Sequence, residues 1–433
     1  RQHIENGDEK RRQVGAALFI WTAILPIMVL LGSSLIYLSP DFIKVPDEHK
    51  DLLRLSMGIM VAGGIINRLL LLPSNVLEGC NLHYKAFWVE PLKIILGGVL
   101  MVIAVKIGWS LSGVAGGFVL SAILGGACFF GVARKYIPWL GVRRPEPEMI
   151  RYFLRYTAWI FLSGLAWTFL TGSDVLLLGY LAGPGVVTVY TTTAAAPRMT
   201  MEVLNRFSGA SKAGIAGLCG EGSWDGIEKL RLEMQIFSIT AVTVAGCGVL
   251  ILNPAFLSLW IGEGYFLGQF ANLMIVLACY FTLLFMVDNQ ILHGMLDFKN
   301  LTILLAIGGV VLIGLGSFLT KEYGATGMAT ALAVSRLCAI LISPKVIAKK
   351  TGKPATTYFK ELLRPIFVSG LFLAAAYHMP FPANSLNIIE FLLYGVAVTG
   401  ITPFLFIFLG LNKEHRVGVM RRLSIAKRVL GKR

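Results

Sequence analysis

Residues Thr188–Lys212 read TVYTTTAAAPRMTMEVLNRFSGASK, a stretch that combines apolar length with many polar side chains. In a helix, residues spaced by three and four positions share one face. On that face lie Thr188, Thr191, Ala195, Arg198, Glu202, Asn205, Gly209 and Lys212. The opposite face suits lipid or neighbouring helices, with Val187, Tyr190, Ala194, Met201 and Leu204. An arginine at the bilayer centre costs roughly 2.5–3.5 kcal/mol on insertion scales, so Arg198 is expected to face a protein interior or a watery cavity.

The composition of the whole chain indicates a polytopic membrane protein. Of its 433 residues, 56% are hydrophobic and only 15% are charged, whereas soluble domains contain about 25% charged residues. The six cysteines form no CxxC or Cys/His cluster, which predicts neither a disulfide framework nor a metal site. The basic residues lie in alternate loops, a sign of membrane topology, so no nucleic-acid partner is expected.

Windows of about 20 apolar residues predict an all-α protein with twelve transmembrane helices. The spans run near residues 14–38, 52–72, 86–106, 112–133, 155–181, 185–211, 232–258, 267–291, 300–320, 325–346, 363–379 and 385–411. The Lys/Arg-rich set of loops is cytoplasmic by the positive-inside rule, so both termini of the chain are expected in the cytoplasm. The basic tail Asn412–Arg433 is predicted either to lie on anionic inner-leaflet lipids as an amphipathic helix or to be solvated.

The chain repeats itself at an offset of about 215 residues. Val76–Gly79 (VLEG) matches Ile291–Gly294 (ILHG), and Ser112–Gly116 (SGVAG) matches Thr326–Thr330 (TGMAT). Both copies have the same orientation in the membrane, which predicts parallel repeats with a substrate site near the midplane between them.

Counting helices against this repeat predicts a parent protein of fourteen helices, arranged as six, six and two. The first pair is expected to be missing, because the chain begins with Arg1 rather than Met and has only four spans in its first half. The expected parts are an N-terminal lobe at 1–145, a C-terminal six-helix lobe at 146–352, two additional helices at 353–411 and a tail at 412–433.

Three stretches resemble the polysaccharide flippases of the multidrug/oligosaccharidyl-lipid/polysaccharide exporter superfamily, which include O-antigen-type and teichuronic-acid-type exporters. Gly7–Arg12 (GDEKRR) is similar to the loop after the second helix of that family. Asp174–Tyr190 (DVLLLGYLAGPGVVTVY) resembles the start of its second half, and Leu257–Gly264 (LSLWIGEG) resembles the external end of its ninth helix. The resemblance covers nearly the whole chain, and the visible departure is the absent first helix pair.

The resemblance implies two helical lobes around a central cavity, and alternating access for an undecaprenyl-diphosphate-linked oligosaccharide in the inner (plasma) membrane. Coupling to H⁺ or Na⁺ and partnership with a polysaccharide polymerase or glycosyltransferases are implied as well. A multidrug/cation antiporter of the same superfamily or a lipid II flippase is the alternative, although such antiporters usually stop after twelve helices. A membrane glycosyltransferase or polymerase would normally show a long periplasmic loop, and the longest external loop here has about a dozen residues, near Ser39–Lys50. A scaffold-like fragment without its own activity is the fourth reading.

Charged and polar residues within the spans are the candidates for function, because such residues in membranes mark substrate and ion pathways. The expected substrate-cavity residues are Arg198, Arg336, Arg68, Lys93, Thr191 and Asn205. The expected coupling or ion-pair residues are Asp174, Glu202, Glu90 and Asp288. The sequence contains no Ser/His/Asp set, phosphate loop or HExxH motif in a soluble domain, so neither enzymatic activity nor a cofactor is expected.

The second half of the chain holds the strongest of these candidates. Arg198 suits bidentate phosphate binding, or else forms a structural pair with Glu202 one turn further on. Arg336 has no acidic neighbour in its own helix and needs a partner or water elsewhere. Asp174 either binds a coupling ion or lies at the external interface. Asp288, near the inner end of its span, is expected at the interface.

The first half offers weaker candidates near the cytoplasmic face. Glu90 and Lys93, three residues apart beside Pro91, predict a local ion pair. Arg68 lies within a turn of its helix end and is expected to snorkel to the interface. Both cations would also suit recruitment of a diphosphate from the inner leaflet.

Overall fold

A computed structural model describes residues 7–42, 46–80, 82–209, 211–379, 387–413 and 415–416. Within those ranges the chain forms α-helices and one short 3₁₀ turn, His83–Ala86, and contains no strand. The first helices are α1 (Gly7–Phe42), α2 (Asp47–Leu70), α3 (Leu72–Gly79), α4 (Val89–Lys106), α5 (Ser110–Tyr136) and α6 (Pro147–Ala182). The others are α7 (Pro184–Gly209), α8 (Lys212–Gly220), α9 (Trp224–Trp260), α10 (Gln269–Gly294), α11 (Phe298–Thr351), α12 (Ala355–His378) and α13 (Ile388–Gly410).

Each of the twelve predicted spans falls on one of these helices. Nine helical segments among the described residues are long and apolar enough to cross a membrane, and α7 and α12 are not among them. The predicted spans 300–320 and 325–346 share the 54-residue helix α11, which is interrupted at Gly324 with a φ of 58°. A positive φ at that position suits glycine, which has no Cβ to clash with the backbone. The prediction of an all-α polytopic membrane protein is confirmed.

The chain divides into two compact units, Arg1–Ala158 and Trp159–Arg433. In unit 1, α5 packs against both α2 and α4, and α1 packs against α2. One buried apolar cluster of unit 1 consists of Leu77, Ala86, Val89, Phe129, Ala133 and Ile137. The predicted boundaries at residues 145 and 352 stay predictions.

Unit 2 is organised around α9, α10 and α11. Helix α10 packs against α7, α9 and α11, while α12 and α13 both pack against α9. The Thr243 and Ser369 hydroxyls join α9 to α12 through a buried hydrogen bond of 2.6 Å. The predicted additional helix pair thus packs on the same compact unit as α9.

The stretches matched in the internal repeat occupy equivalent places in the secondary structure. The tetrapeptides VLEG and ILHG end α3 and α10, respectively. The paired glycines Gly113 and Gly327 both permit close contact with the preceding helical segment. A Cβ on Gly113 would lie 2.8 Å from the Cβ of Ala104, and one on Gly327 would lie 2.1 Å from the carbonyl oxygen of Leu319. Both distances are shorter than real Cβ contacts, so each position requires glycine for packing.

The basic tail lies outside the described residues from position 417 onwards. At its start, Arg416 donates hydrogen bonds to the carbonyl oxygens of Leu411 and Phe408, at 3.0 and 2.5 Å. These bonds satisfy carbonyl groups at the end of α13, which have no partner within the helix itself. The membrane-surface helix stays a prediction.

Candidate functional site

Helix α7 carries the polar stripe that the sequence predicts. Along the stripe, Thr188 and Glu202 are exposed, whereas Thr191, Arg198 and Asn205 are half-buried. On the opposite face, the side chains of Tyr190 and Ala194 are fully buried in the core of unit 2. Helix α7 therefore packs with its apolar face inward and leaves its polar stripe partly accessible.

The stripe meets a buried carboxylate on α6. Asp174 has no exposed surface, and its Oδ2 accepts a hydrogen bond of 2.6 Å from the Tyr190 hydroxyl. The same oxygen accepts a hydrogen bond from Nη2 of Arg198, whose side chain remains 32% exposed. The Arg198 guanidinium also lies 5.6 Å from the Tyr190 ring centre, within cation–π range. We refer to Asp174, Tyr190, Arg198 and the nearby Arg336 as the α6–α7–α11 charge cluster.

Arg336 brings the third charge of this cluster from α11. It is 6% exposed, and its Nη2 donates to the backbone carbonyl of Leu170, one turn before Asp174 on α6. It lies close enough to Asp174 and Arg198 to interact electrostatically with both. The sequence indicates that Arg336 needs a partner outside its own helix, and the structure supplies this carbonyl.

The cluster holds two arginines and one aspartate, so its formal charge is positive. It also contains hydrogen-bonding capacity that the described residues do not use. Oδ1 of Asp174 accepts no hydrogen bond from them, and Nη1 of Arg336 donates none to them. A buried charged group without all its partners is energetically costly, which makes this cluster the strongest candidate for a functional site.

The structure gives partners for the two residues whose sequence readings were left open. The Asp174 carboxylate is completely buried, and α6 continues beyond it to Ala182. Arg198 pairs with Asp174 rather than with Glu202, since the tertiary contact between α6 and α7 supplies a buried carboxylate that outcompetes an exposed one.

The remaining polar candidates on α7 have other local environments. The Thr191 hydroxyl donates to the carbonyl of Val187 at 2.8 Å, within its own helix. Oδ1 of Asn205 is buried and has no hydrogen-bond partner among the residues that the structure describes. A sugar hydroxyl is the type of group that would satisfy such an acceptor.

The candidates in unit 1 are Arg68 on α2 and the pair of Glu90 and Lys93 on α4. Glu90 and Lys93 form the predicted local ion pair, with an N···O distance of 2.8 Å, and Arg68 is exposed at the end of α2. A cavity of about 810 Å³ in this unit is lined mostly by apolar residues of α2, α3 and α5, together with Arg134. None of the predicted site residues lines that cavity.

Asp288, which is expected near the interface and among the coupling or ion-pair residues, has a buried ion-pair partner in the structure. It is fully buried and forms a bidentate pair with Arg231, with distances of 2.8 Å from Nε and 2.9 Å from Nη2. Ser343 donates to Asp288 at 2.5 Å, and the Tyr358 ring lies 3.6 Å from the Arg231 guanidinium carbon. The pair thus joins α9, α10, α11 and α12.

Sequence reasoning missed three residues of these clusters. Tyr190 is assigned to the apolar face of α7 by periodicity alone, although its hydroxyl is the direct donor to Asp174. Arg231 lies one residue before the predicted span 232–258, whereas α9 begins at Trp224. Tyr358 lies outside every predicted span. The described residues contain no group of three His, Cys, Asp or Glu that could hold a metal ion.

Comparison with known proteins places this geometry in context. Residues 2–211 match the model of a family described as "Polysaccharide biosynthesis protein". A comparison with curated protein sequences finds no match. Among solved structures, the chain is similar to the lipid II flippase MurJ in an inward closed conformation, with a TM-score of 0.66 and 15% identity over 94% of this chain and 85% of that chain.

Two structures that are described as transporters of the MOP superfamily are similar over slightly less of the chain. One is a MOP superfamily transporter from Pyrococcus furiosus, with a TM-score of 0.58 and 15% identity over 79% of this chain and 80% of that chain. The other is an outward-facing multidrug resistance MATE family transporter, with a TM-score of 0.57 and 14% identity over 80% of both chains.

The chain thus shares the fold of these three solved structures, which are described as a flippase and two transporters. The protein is a multi-pass membrane protein. Its resemblance to the polysaccharide flippases of the multidrug/oligosaccharidyl-lipid/polysaccharide exporter superfamily is confirmed by the family match together with the structural likeness.

Proposed function

We propose that this protein translocates an undecaprenyl-diphosphate-linked oligosaccharide from the inner to the outer leaflet of the plasma membrane by alternating access. Such a substrate has a charged, hydroxyl-rich headgroup and a long apolar chain. A protein that moves it must shelter the headgroup from hydrocarbon while the chain stays in lipid. The description of the matching family, and the name of the similar lipid II flippase, support a substrate of this class.

The observation that carries the proposal is the partly exposed guanidinium of Arg198 on the polar stripe of α7. An arginine binds phosphate oxygens with two parallel hydrogen bonds, and it keeps its charge at any physiological pH. The net positive charge of the cluster favours an anion over the cationic drugs expected for a multidrug antiporter. Thr191 and Asn205, on the same face of α7, are proposed to hydrogen-bond sugar hydroxyls.

The extent of the structural likeness supports the flippase over the antiporter. The MurJ likeness leaves 6% of the chain uncovered, which is fewer residues than α12 and α13 contain together. At least part of this pair therefore belongs to the shared fold. The MATE likeness leaves 20% uncovered, enough to omit both helices.

The proposal includes the orientation of the chain in the membrane and the ion that drives transport. The Lys- and Arg-rich loops favour cytoplasmic termini, with anionic inner-leaflet lipids at the basic tail. Asp174 and Glu202 are the proposed coupling residues for H⁺ or Na⁺, since a carboxylate inside a transporter can exchange such an ion. A polysaccharide polymerase or glycosyltransferase is the proposed functional partner.

Transport by the reconstituted chain tests the proposal. Proteoliposomes would receive undecaprenyl-diphosphate-linked disaccharide with a fluorescent label on the sugar, and the label exposed to a membrane-impermeant quencher would be followed over time. We expect the chain to equilibrate this lipid between leaflets faster than protein-free vesicles do. Ethidium uptake driven by a pH gradient is the matched assay for an antiporter. Ethidium transport without lipid translocation would contradict the proposal.

A further inference from the structure

Asp174 has two arginines within electrostatic range but uses only one of its oxygens. Oδ2 accepts hydrogen bonds from both Tyr190 and Arg198, whereas Oδ1 is buried and accepts none from the described residues. Arg336, the second arginine, holds its Nη1 buried and without a hydrogen-bond partner in the described part of the chain. One free acceptor and one free donor of opposite charge therefore lie in the same buried cluster.

The two arginines differ in how they are held. Arg198 is one-third exposed on the polar stripe of α7, and its only ionic partner among the described residues is Asp174. Arg336 is almost completely buried and is anchored to the carbonyl of Leu170. Because Leu170 precedes Asp174 by one helical turn, this anchor holds the guanidinium against the same part of α6 that carries the carboxylate. Arg198 can thus turn towards an external anion, whereas Arg336 stays in place.

An exchange of Arg198 from Asp174 to a substrate phosphate would normally be opposed by the buried carboxylate. Removing one partner of a buried ion pair leaves an uncompensated charge, which is strongly unfavourable in a medium of low dielectric constant. An arginine that is already buried nearby, with an unused N–H group, removes this obstacle without further desolvation.

We infer that Arg336 is a standby counter-ion, which takes over the Asp174 carboxylate when Arg198 turns to bind an anionic phosphate group. In this exchange, Nη1 of Arg336 donates to Oδ1 of Asp174, and the Tyr190 hydroxyl keeps its bond to Oδ2. Arg336 is therefore a positioning residue that acts through Asp174 rather than a ligand of the substrate. The inference rests on the proposed function in that the physiological anion is the diphosphate of the lipid-linked substrate.

Calorimetric titration of the detergent-purified full chain with inorganic pyrophosphate tests the exchange without any lipid. We expect saturable binding that Arg198→Gln abolishes and that Arg336→Gln weakens at least tenfold. Lys345→Gln removes one exposed cation from the same helix α11 and is expected to leave the affinity unchanged. Wild-type affinity in Arg336→Gln, or no pyrophosphate binding by the wild type, would overturn the inference.

The double variant Asp174→Asn/Arg336→Gln separates the exchange from a merely structural role. When residue 174 carries no charge, it needs no substitute counter-ion after Arg198 turns away. We therefore expect the double variant to recover the pyrophosphate affinity that Arg336→Gln loses. Asp174→Asn alone should bind pyrophosphate at least as tightly as the wild type, a test that does not require Arg336→Gln to fold. Failure of either expectation would overturn the inference.

The lipid assay keeps this result distinct from the proposed function. If pyrophosphate binding follows the expected pattern but no lipid is translocated, the counter-ion exchange is supported and the proposed flippase function is refuted. If Arg336→Gln translocates lipid as fast as the wild type and binds pyrophosphate with unchanged affinity, the counter-ion exchange is refuted. The proposed flippase function is then retained.

Discussion

Asp174 and Arg198 form an ion pair across 24 residues of sequence, in which the carboxylate is fully buried and the guanidinium remains one-third exposed. The exposed cation can reach a ligand, while the anion that holds it cannot. This asymmetry distinguishes the pair from that of Arg231 and Asp288, in which both partners are almost completely buried. We therefore propose a functional role for the first pair and a structural role for the second.

The hydroxyl of Tyr190 is predicted to stabilise the charge cluster measurably. Tyr190→Phe removes the 2.6 Å hydrogen bond to Asp174 and leaves the ring in place. Hydrogen bonds to charged groups contribute about 1.5–3 kcal/mol, and we expect the free energy of unfolding to fall by that amount. Denaturant unfolding in detergent measures the change. Tyr323→Phe, at an exposed tyrosine, is the control, and equal stability of the two variants would contradict the assignment.

The pair of Arg231 and Asp288 is predicted to hold four helices of unit 2 together. Asp288→Asn leaves the Arg231 guanidinium buried without its bidentate partner. Breaking a buried pair from one side costs about 3–5 kcal/mol, so a large fall in the melting temperature is expected. Lys353→Gln breaks the exposed pair with Asp225 and should leave the melting temperature unchanged. A similar small effect for both variants would show that the buried pair contributes little.

The repeat glycines are predicted to be required for packing. Alanine at Gly327 or Gly113 would place a Cβ against the preceding helical segment, and overpacking of this kind costs about 1–3 kcal/mol. Gly309→Ala on α11 is the matched control, because a Cβ there would contact nothing within 4 Å. The comparison requires thermal unfolding of the three variants under the same detergent conditions. Equal melting temperatures would refute the packing role.

The connector before α11 is predicted to give the protein a pH-dependent stability. Burial alone raises the pKa of Asp297, but hydrogen bonds from the Asn300 side chain, Lys350 and the Asn300 backbone N–H outweigh it and place the pKa below 3.8. A carboxyl group with a lowered pKa stabilises the folded state above its unfolded pKa, and this contribution is lost as the pH falls through the folded value.

The variant Asp297→Asn tests this pH dependence. Asparagine can still accept the hydrogen bond from the backbone N–H of Asn300, as a good N-cap residue does, but it cannot pair with Lys350. We expect the melting temperature of the wild type to fall more steeply than that of the variant below about pH 4. If the melting temperatures of the two proteins fall in parallel as the pH is lowered, the role of the Asp297 charge is contradicted.

The helical framework can be predicted well from the sequence, because each span is recognised from its own residues alone. A run of about 20 apolar residues identifies a membrane helix without any knowledge of its neighbours. The polar stripe of α7 follows from helical periodicity in the same way. The local ion pair of Glu90 and Lys93 is also predicted, since residues three apart on a helix are neighbours.

The partners of the buried charges could not be predicted, because they depend on which helices pack together. Periodicity brings Arg198 next to Glu202, whereas packing of α6 on α7 brings it to Asp174. In the sequence, Arg231 lies beside Lys229 just before a predicted span, as a loop cation would. Only the packing of α9 on α10 identifies it as the partner of Asp288. The Leu170 carbonyl that holds Arg336 leaves no sequence signal at all, because every residue has one.

The cation of Arg198 is proposed to bind the phosphate-bearing headgroup during translocation. The test is the initial rate of lipid-linked disaccharide translocation by Arg198→Gln, with Lys345→Gln as a control that removes an exposed cation from α11. We predict at least a tenfold loss of rate for Arg198→Gln at equal reconstitution and the wild-type rate for Lys345→Gln. A wild-type rate in folded Arg198→Gln would contradict this role of Arg198.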